Sequence, residues 1–219
     1  MDSQSIQAST KLRAANLIFW DFDGVIKDSV DVKSEAYKTL FLPFGKNIAM
    51  KIRKHHDANG GVSRFDKIPL YLDWVGESGG NAQIEEFCNR FSRLVQQSVI
   101  NSPWVPGVQE YLLNNYEKQD FVLVTATPQE EIARILSAIN IGHCFREVYG
   151  APKSKAQAIK EVLIKFKYAP SQALMIGDSE GDFEAAQANF VPFLLRCTPL
   201  NLSLQAIYTG PMFEGLNHE

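Results

Sequence analysis

The sequence has little cysteine, no long apolar run and no basic stripe. Its three cysteines, Cys88, Cys144 and Cys197, are widely spaced and form no CxxC pair. That excludes a disulfide framework and a cysteine zinc site, and predicts reduced thiols in a reducing compartment. No stretch approaches the roughly 18 apolar residues that cross a bilayer. The first fifteen residues, polar and then mildly basic at Lys11 and Arg13, lack the apolar segment of a secretory signal. A cytoplasmic protein with no membrane partner is expected. The formal net charge is -3, and without clustered Lys and Arg no nucleic-acid partner is expected either.

With 219 residues, 45% of them hydrophobic and 21% charged, the chain can bury a real core, either as one domain or as a core carrying a small insertion. Leu17 to Phe22, Phe121 to Val124 and Ala173 to Ile176 are nearly continuous apolar runs, as strands buried on both faces read. Val191 to Leu195 and Glu147 to Tyr149 are further candidates. Between them lie stretches of helical period: Val108, Leu112, Leu113 and Tyr116; Ile132, Ile135, Leu136 and Ile139; Ile159, Val162, Leu163 and Phe166. Thr127-Pro128-Gln129-Glu130 and Ser154-Lys155-Ala156-Gln157 read as capping boxes that start two of these helices. The alternation predicts an α/β fold, a doubly wound, Rossmann-like parallel sheet.

Residues 28–103 break the alternation. They offer helical candidates at Ser34 to Phe41, Ile68 to Val75 and Ala82 to Val99 but no buried strand, and so long a connection inside a compact domain predicts an inserted all-helical subdomain. The division expected is a flexible segment over 1–15, a core over 16–27 and 104–219, and a helical cap over 28–103.

Three of the strands end in residues suited to phosphoryl transfer: Asp21-Phe22-Asp23-Gly24-Val25, Thr125-Ala126-Thr127, and Gly177-Asp178-Ser179-Glu180-Gly181-Asp182. In open α/β sheets ligands bind at such carboxyl ends. Asp21 and Asp23, one residue apart, cannot both be unpaired core groups, because burying a lone charge is costly. A magnesium ion fits oxygen donors of this kind, from Asp21, Asp178 and the carbonyl of Asp23. The cation of the site is Lys155 or Lys153. A lysine in the first helical turn opposes the helix dipole unless an anion compensates, which favours Lys155.

The set resembles the haloacid dehalogenase superfamily, whose four motifs occur here in order: DFDGV at Asp21 to Val25, the strand ending at Thr125, Lys155, and GDSEGD at Gly177 to Asp182. The resemblance implies that Asp21 is a nucleophile forming an aspartyl-phosphate and that Asp23 is the general acid and base. It further implies that Thr125 and backbone near Ala126 hold phosphate oxygens, that Lys155 offsets charge, that Asp178 ligates magnesium, and that Asp182 orients Lys155 or metal-bound water. Dehalogenases lack an acid where Asp23 stands, so the expected reaction is hydrolysis of the phosphate monoester of a small metabolite such as a sugar phosphate or phosphoglycolate. A phosphosugar mutase of the β-phosphoglucomutase type is the alternative, and a catalytically silent binding protein a more distant one. A monomer or small homo-oligomer is expected.

Plainer readings exist for the same residues. Asp21 and Asp23 could cap a turn or a helix, and Thr125 could be an ordinary strand residue. The GDSEGD run lacks the bidentate glutamate of a calcium loop. Adjacent His55 and His56 point in different directions on a helix and read as surface or cap residues, with substrate contact as the alternative. Trp20, Trp74 and Trp104 read as core. In Gly60-Gly61-Val62-Ser63-Arg64 the glycines permit a turn with positive φ, after which Ser63 would present a hydroxyl and Arg64 a fork of donors. GVSR at Gly61 to Arg64 resembles the substrate-specificity loop of the mutase branch, which implies that Arg64 holds the unreactive part of a substrate.

Overall fold

Leu17-Ile18-Phe19-Trp20 is apolar at every position because both faces of its strand are covered. Leu17 and Phe19 pack with one buried cluster, Ile18 and Trp20 with the other. The computed structural model describes residues 3–77 and 80–216, with backbone only for 3–5; positions 1–2, 78–79 and 217–219 of the expected segments lie outside the described residues. Strands β1 (Leu17–Trp20), β2 (Asp120–Pro128), β3 (Glu147–Ala151), β4 (Ala173–Gly177), β5 (Phe193–Arg196) and β6 (Met212–Phe213) form one parallel sheet in the order β3-β2-β1-β4-β5-β6. β1 therefore sits in the middle, with β2 on one side and β4 on the other, and the crevice at their carboxyl ends is where a ligand is expected.

The helices are α1 (Ser3–Ala14), α2 (Val30–Phe41), α3 (Lys46–Ala58), α4 (Arg64–Trp74), α5 (Asn81–Asn101), α6 (Val108–Asn115), α7 (Gln129–Ala138), α8 (Lys155–Phe166), α9 (Glu180–Ala188) and α10 (Leu202–Ile207). Buried residues of α8, α9 and α10 cover one face of the sheet, and those of α1, α6 and α7 the other. No helix is long and apolar enough to cross a membrane among the described residues.

Helices α2 to α5 all lie between β1 and β2 and form a cap around tilted and edge-on aromatic rings: Tyr37 with Phe91 at 4.1 Å, Phe41 with Phe87 at 5.4 Å, Tyr37 with Tyr71 at 5.4 Å. α3 has no counterpart among the helical candidates of the sequence. It buries only Ala49, Ile52 and His56, too narrow an apolar stripe to stand out.

Two expectations are corrected. Residues 3–14 are helical, not a flexible segment. Leu12 is fully buried, and Gln119 Nε2 donates to the carbonyls of Leu12 at 2.8 Å and Ala15 at 2.6 Å, which ties the helix to the start of β2. Thr127 caps no helix: β2 continues through an irregularity to Pro128, and Pro128 itself stands at the N-cap of α7. At the second expected box Ser154 does accept from the Gln157 amide at 3.2 Å. The Gln157 side chain reaches Glu161 instead of returning to the cap.

Candidate active site

The turn after β1 opens the site. Gly24 has φ +77°, and a Cβ there would lie 2.1 Å from Asp178 Oδ2, so only glycine lets the turn after β4 bring Asp178 against the turn after β1. This close approach collects carboxylates. Ligand atoms of Asp21, Asp178 and Asp182 all lie within 4.8 Å of one another, and each of these residues is buried.

Lys155, at the first position of α8, bridges two of them, with Nζ 3.0 Å from Asp21 Oδ1 and 2.5 Å from Asp182 Oδ1. Asp182 is otherwise spent inside its own turn, where Oδ2 accepts from Ser179 N at 3.1 Å and Ser179 Oγ at 2.6 Å. It can position Lys155 but offers little else. Burial lowers the affinity of the Lys155 amine for its proton, yet Asp182 and Asp21 outweigh that and hold it well above the ordinary lysine value. Lys153 lies apart, paired with Glu161 and over the ring of Tyr149.

One lysine does not balance three acids. Burial, then Asp182, pushes Asp21 up to about 7 against the opposing pull of Lys155. Burial, then Asp21 and Asp182, raises Asp178 well above the ordinary carboxylate range, and among the described residues its carboxylate has no ion-pair partner. Such mutual repulsion in a buried site is relieved by a cation.

Asp23 belongs to a second network. Its Oδ1 accepts from Ser29 Oγ at 2.6 Å, and its Oδ2 from Lys33 and from Thr127 Oγ1 at 3.1 Å. Lys33 Nζ also donates to Thr127 Oγ1 at 2.9 Å. Burial would raise the Asp23 carboxyl, but the Lys33 ammonium and these hydrogen bonds prevail and hold it below its usual range. Thr125 is buried, and its Oγ1 accepts from the Thr127 amide at 3.2 Å. Thr125 and Ala126 both line the cavity above Asp21. Its volume is about 40 Å³, and its far wall comes from the cap: Lys33, Tyr37, His56, Gly60, Val62, Arg64 and Phe91.

The cap loop departs from the sequence reading. Neither Gly60 nor Gly61 has a positive φ. Gly61 is small because a Cβ there would lie 2.4 Å from Ser179 Oγ, so the loop seats directly on the Gly177 to Asp182 turn. Ser63 is the N-cap of α4, where its Oγ accepts from the Phe65 amide at 3.3 Å. Arg64 is no free fork. It is 4% exposed, stacks on Phe91 at 4.5 Å, and gives its donors to Glu131 of α7 at 2.7 and 2.9 Å and to Ser92 at 2.6 Å. Adjacent acids Glu130 and Glu131 gave no sign that the second would turn inward.

His56 is also corrected, being 3% exposed and within the cavity wall rather than on the surface, while His55 is half-buried and bonds to Tyr71 Oη at 2.9 Å. Ser29 and Lys33, both from the start of α2, carry no signal in the sequence beyond their polarity, and Thr127, read there as a strand end and a helix cap, gave no sign of pairing with Asp23.

A central strand ending in paired aspartates, with a lysine and two further aspartates from neighbouring segments under an inserted helical lid, defines a class of capped α/β proteins built around a carboxylate cluster. The chain belongs to the haloacid dehalogenase-like hydrolase family, whose sequence profile matches residues 18–195. It is 30% identical over 155 residues to a phosphoglycolate phosphatase of Mannheimia succiniciproducens, covering 65% of this chain and 66% of that one. It is 28% identical over 183 residues to the phosphoglycolate phosphatase of Pseudomonas savastanoi pv. phaseolicola, covering 78% of this chain and 65% of the relative. The match thus spans about two thirds of these relatives' length. In fold it is similar to a β-phosphoglucomutase from Clostridium difficile, with a TM-score of 0.73 at 16% identity over 93% of this chain and 92% of that one.

Proposed function

We propose that the chain is a magnesium-dependent phosphatase that hydrolyses a small phosphate monoester through an aspartyl-phosphate on Asp21. One observation carries the reading: two aspartates a single residue apart are held in opposite electrostatic settings. Asp21 sits among carboxylates with one oxygen on Lys155, and the Asp23 carboxyl is held below its usual range by Lys33, Ser29 and Thr127. Paired acids whose surroundings push them apart are the mark of divided labour.

On this reading Asp21 attacks phosphorus, the bond from phosphorus to the ester oxygen breaks, and the leaving alcohol takes a proton from Asp23, which must carry that proton in the reactive complex, with Lys33 drawn away from it. Water then attacks the aspartyl-phosphate and gives its proton to Asp23, releasing inorganic phosphate and restoring both acids. Lys155 restrains Asp21 and offsets charge on the transferred group, while Asp182 holds Lys155. Thr125 and Ala126 line the space above Asp21. Magnesium, held by Asp21, Asp178 and the Asp23 carbonyl, would neutralise the cluster and polarise the phosphate. The cap encloses the site and limits water. A cavity of about 40 Å³ favours a small ester.

The test is turnover of 4-nitrophenyl phosphate with magnesium, compared with Asp21→Asn. Wild type should turn over, chelator should stop it, and the variant should lose on the order of 10⁴-fold or more in kcat. A folded Asp21→Asn enzyme with near-normal rates would refute the mechanism.

A further inference from the structure

The last turn of helix α3 carries His55-His56, and Lys67 follows on α4. Lys67 is 1% exposed, and its Nζ lies 2.8 Å from His56 Nδ1. Among the described residues the ammonium has no carboxylate in ion-pairing range. The acid one residue from His56, Asp57, is already engaged by Ser34 Oγ at 2.5 Å and faces Arg53 at 3.8 Å. A buried ammonium without a counter-ion is costly.

His56 carries the complementary fault. It is 3% exposed, its ring is braced by Tyr37 at 4.7 Å, it lines the same cavity as Asp21 and Asp178, and its Nε2 has no hydrogen-bond partner. Burial, and then the charges of Lys67 and Lys33, keep the imidazole neutral. With Lys67 as an ammonium, which can only donate, Nδ1 is the acceptor and the single ring proton rests on Nε2, which makes that atom a donor lacking an acceptor. A buried donor of this kind is normally satisfied. Both faults have one remedy, an anion accepting from Nε2 with the Lys67 charge behind it. Burial, and then Lys33, pull the Lys67 amine down to about 7, and an anion beside it would restore its charge.

We propose that His56, backed by Lys67, is a recognition site in the cap for a second anionic group of the substrate, and that the substrate is therefore the phosphate monoester of a small carboxylic acid. This rests on the phosphatase reading and adds to it the group that the cap recognises. The carboxylate accepts from His56 Nε2 while the phosphate lies at Asp21. Arg64, spent on Glu131, is not the anion's partner.

The experiment compares kcat/KM for 2-phosphoglycolate with that for its neutral amide, in the wild type and in His56→Leu, Lys67→Met and His56→Gln, with magnesium present. The ratio of acid to amide within one preparation cancels any loss of folded enzyme. Wild type should prefer the acid by roughly 10- to 100-fold, the scale of a hydrogen bond to a charged group. His56→Leu and Lys67→Met should bring the ratio close to one, and His56→Gln, which keeps a donor, should retain part of it. Equal rates on acid and amide in the wild type, or a ratio unmoved by both His56→Leu and Lys67→Met, would overturn the recognition site while leaving the phosphatase standing. Hydrolysis of 4-nitrophenyl phosphate alone, with neither the acid nor the amide turned over, would overturn it in the same way. No turnover of any of the three esters would bring down the phosphatase reading and the site with it.

Discussion

The two walls of the cavity are built in different ways. The core wall takes its acids from short segments directly after β1 and β4, so each motif delivers its own residues and a strand end aims them. Asp21 and Asp23 leave β1 together, and Asp178 and Asp182 leave β4 together. The cap wall has no such unit. Lys33 comes from α2, His56 from α3, Arg64 and Lys67 from α4, Phe91 from α5, and each is brought in by helix packing around an aromatic core. A strand end is a local device for placing chemistry, and a helical cap is a collective one.

The contrast can be broken most forcibly at Arg64, which ties the cap to α7 of the core through Glu131. Arg64→Met would leave Glu131, 2% exposed, as a buried carboxylate without its partner, and should cost about 3–5 kcal/mol in urea unfolding. Arg64→Met combined with Glu131→Leu should recover most of that loss. A single variant as stable as wild type would mean that the ion pair does not hold cap to core.

Magnesium should separate the walls by pH. The Asp21 carboxyl is raised to about 7 from an ordinary 3.8, so ionising it costs folding stability, which accumulates as pH rises across that interval; Asp178 acts in the same direction. Without a divalent cation the protein should lose stability from pH 4 to 7. Magnesium at 100 times the Kd it has at pH 8 should then raise Tm by roughly 5–10 °C at that pH. At pH 5 it should raise Tm much less, and an equal rise at both pH values would detach the ion from these carboxylates.

A finer probe is Lys33→Met. It removes the cation that does most to lower the Asp23 carboxyl, leaving burial, which raises it, opposed only by the hydrogen bonds from Ser29 and Thr127. The limb of the kcat against pH profile governed by Asp23 should move to higher pH, and a slower enzyme with an unmoved limb would make Lys33 merely structural. The smallest effect concerns Lys153, which pairs with Glu161 outside the cavity. Lys153→Ala should leave kcat unchanged where Lys155→Met abolishes turnover; losses of similar size would mean that both lysines serve the site.

These expectations trace how unevenly the chain can be read. Apolar runs ending in Asp21, Thr125 and Gly177 announced the central strands and the acids above them, because a strand covered on both faces must be apolar throughout and its end must then turn polar. Ser154 announced the start of α8 and with it the place of Lys155. By contrast α3 buried too few apolar residues to show its period, and α1 gave no apolar signal comparable to that of the strands. Thr127, which matched the pattern of a cap, serves Asp23 instead, since β2 runs three residues beyond Thr125.

What the sequence determined by itself is the order of buried strands, the insertion after β1 and the acids delivered at the strand ends, all consequences of periodicity and of residues close together in the chain. Only the tertiary structure decided that Lys33 would restrain Asp23, that Arg64 would turn inward to Glu131 across 67 residues, and that His56 and Lys67 would share a buried contact. The physical reason is that the charge state and direction of a buried side chain depend on which opposite charges and which solvent remain within a few ångströms of it. In the cap those neighbours come from helices distant in sequence.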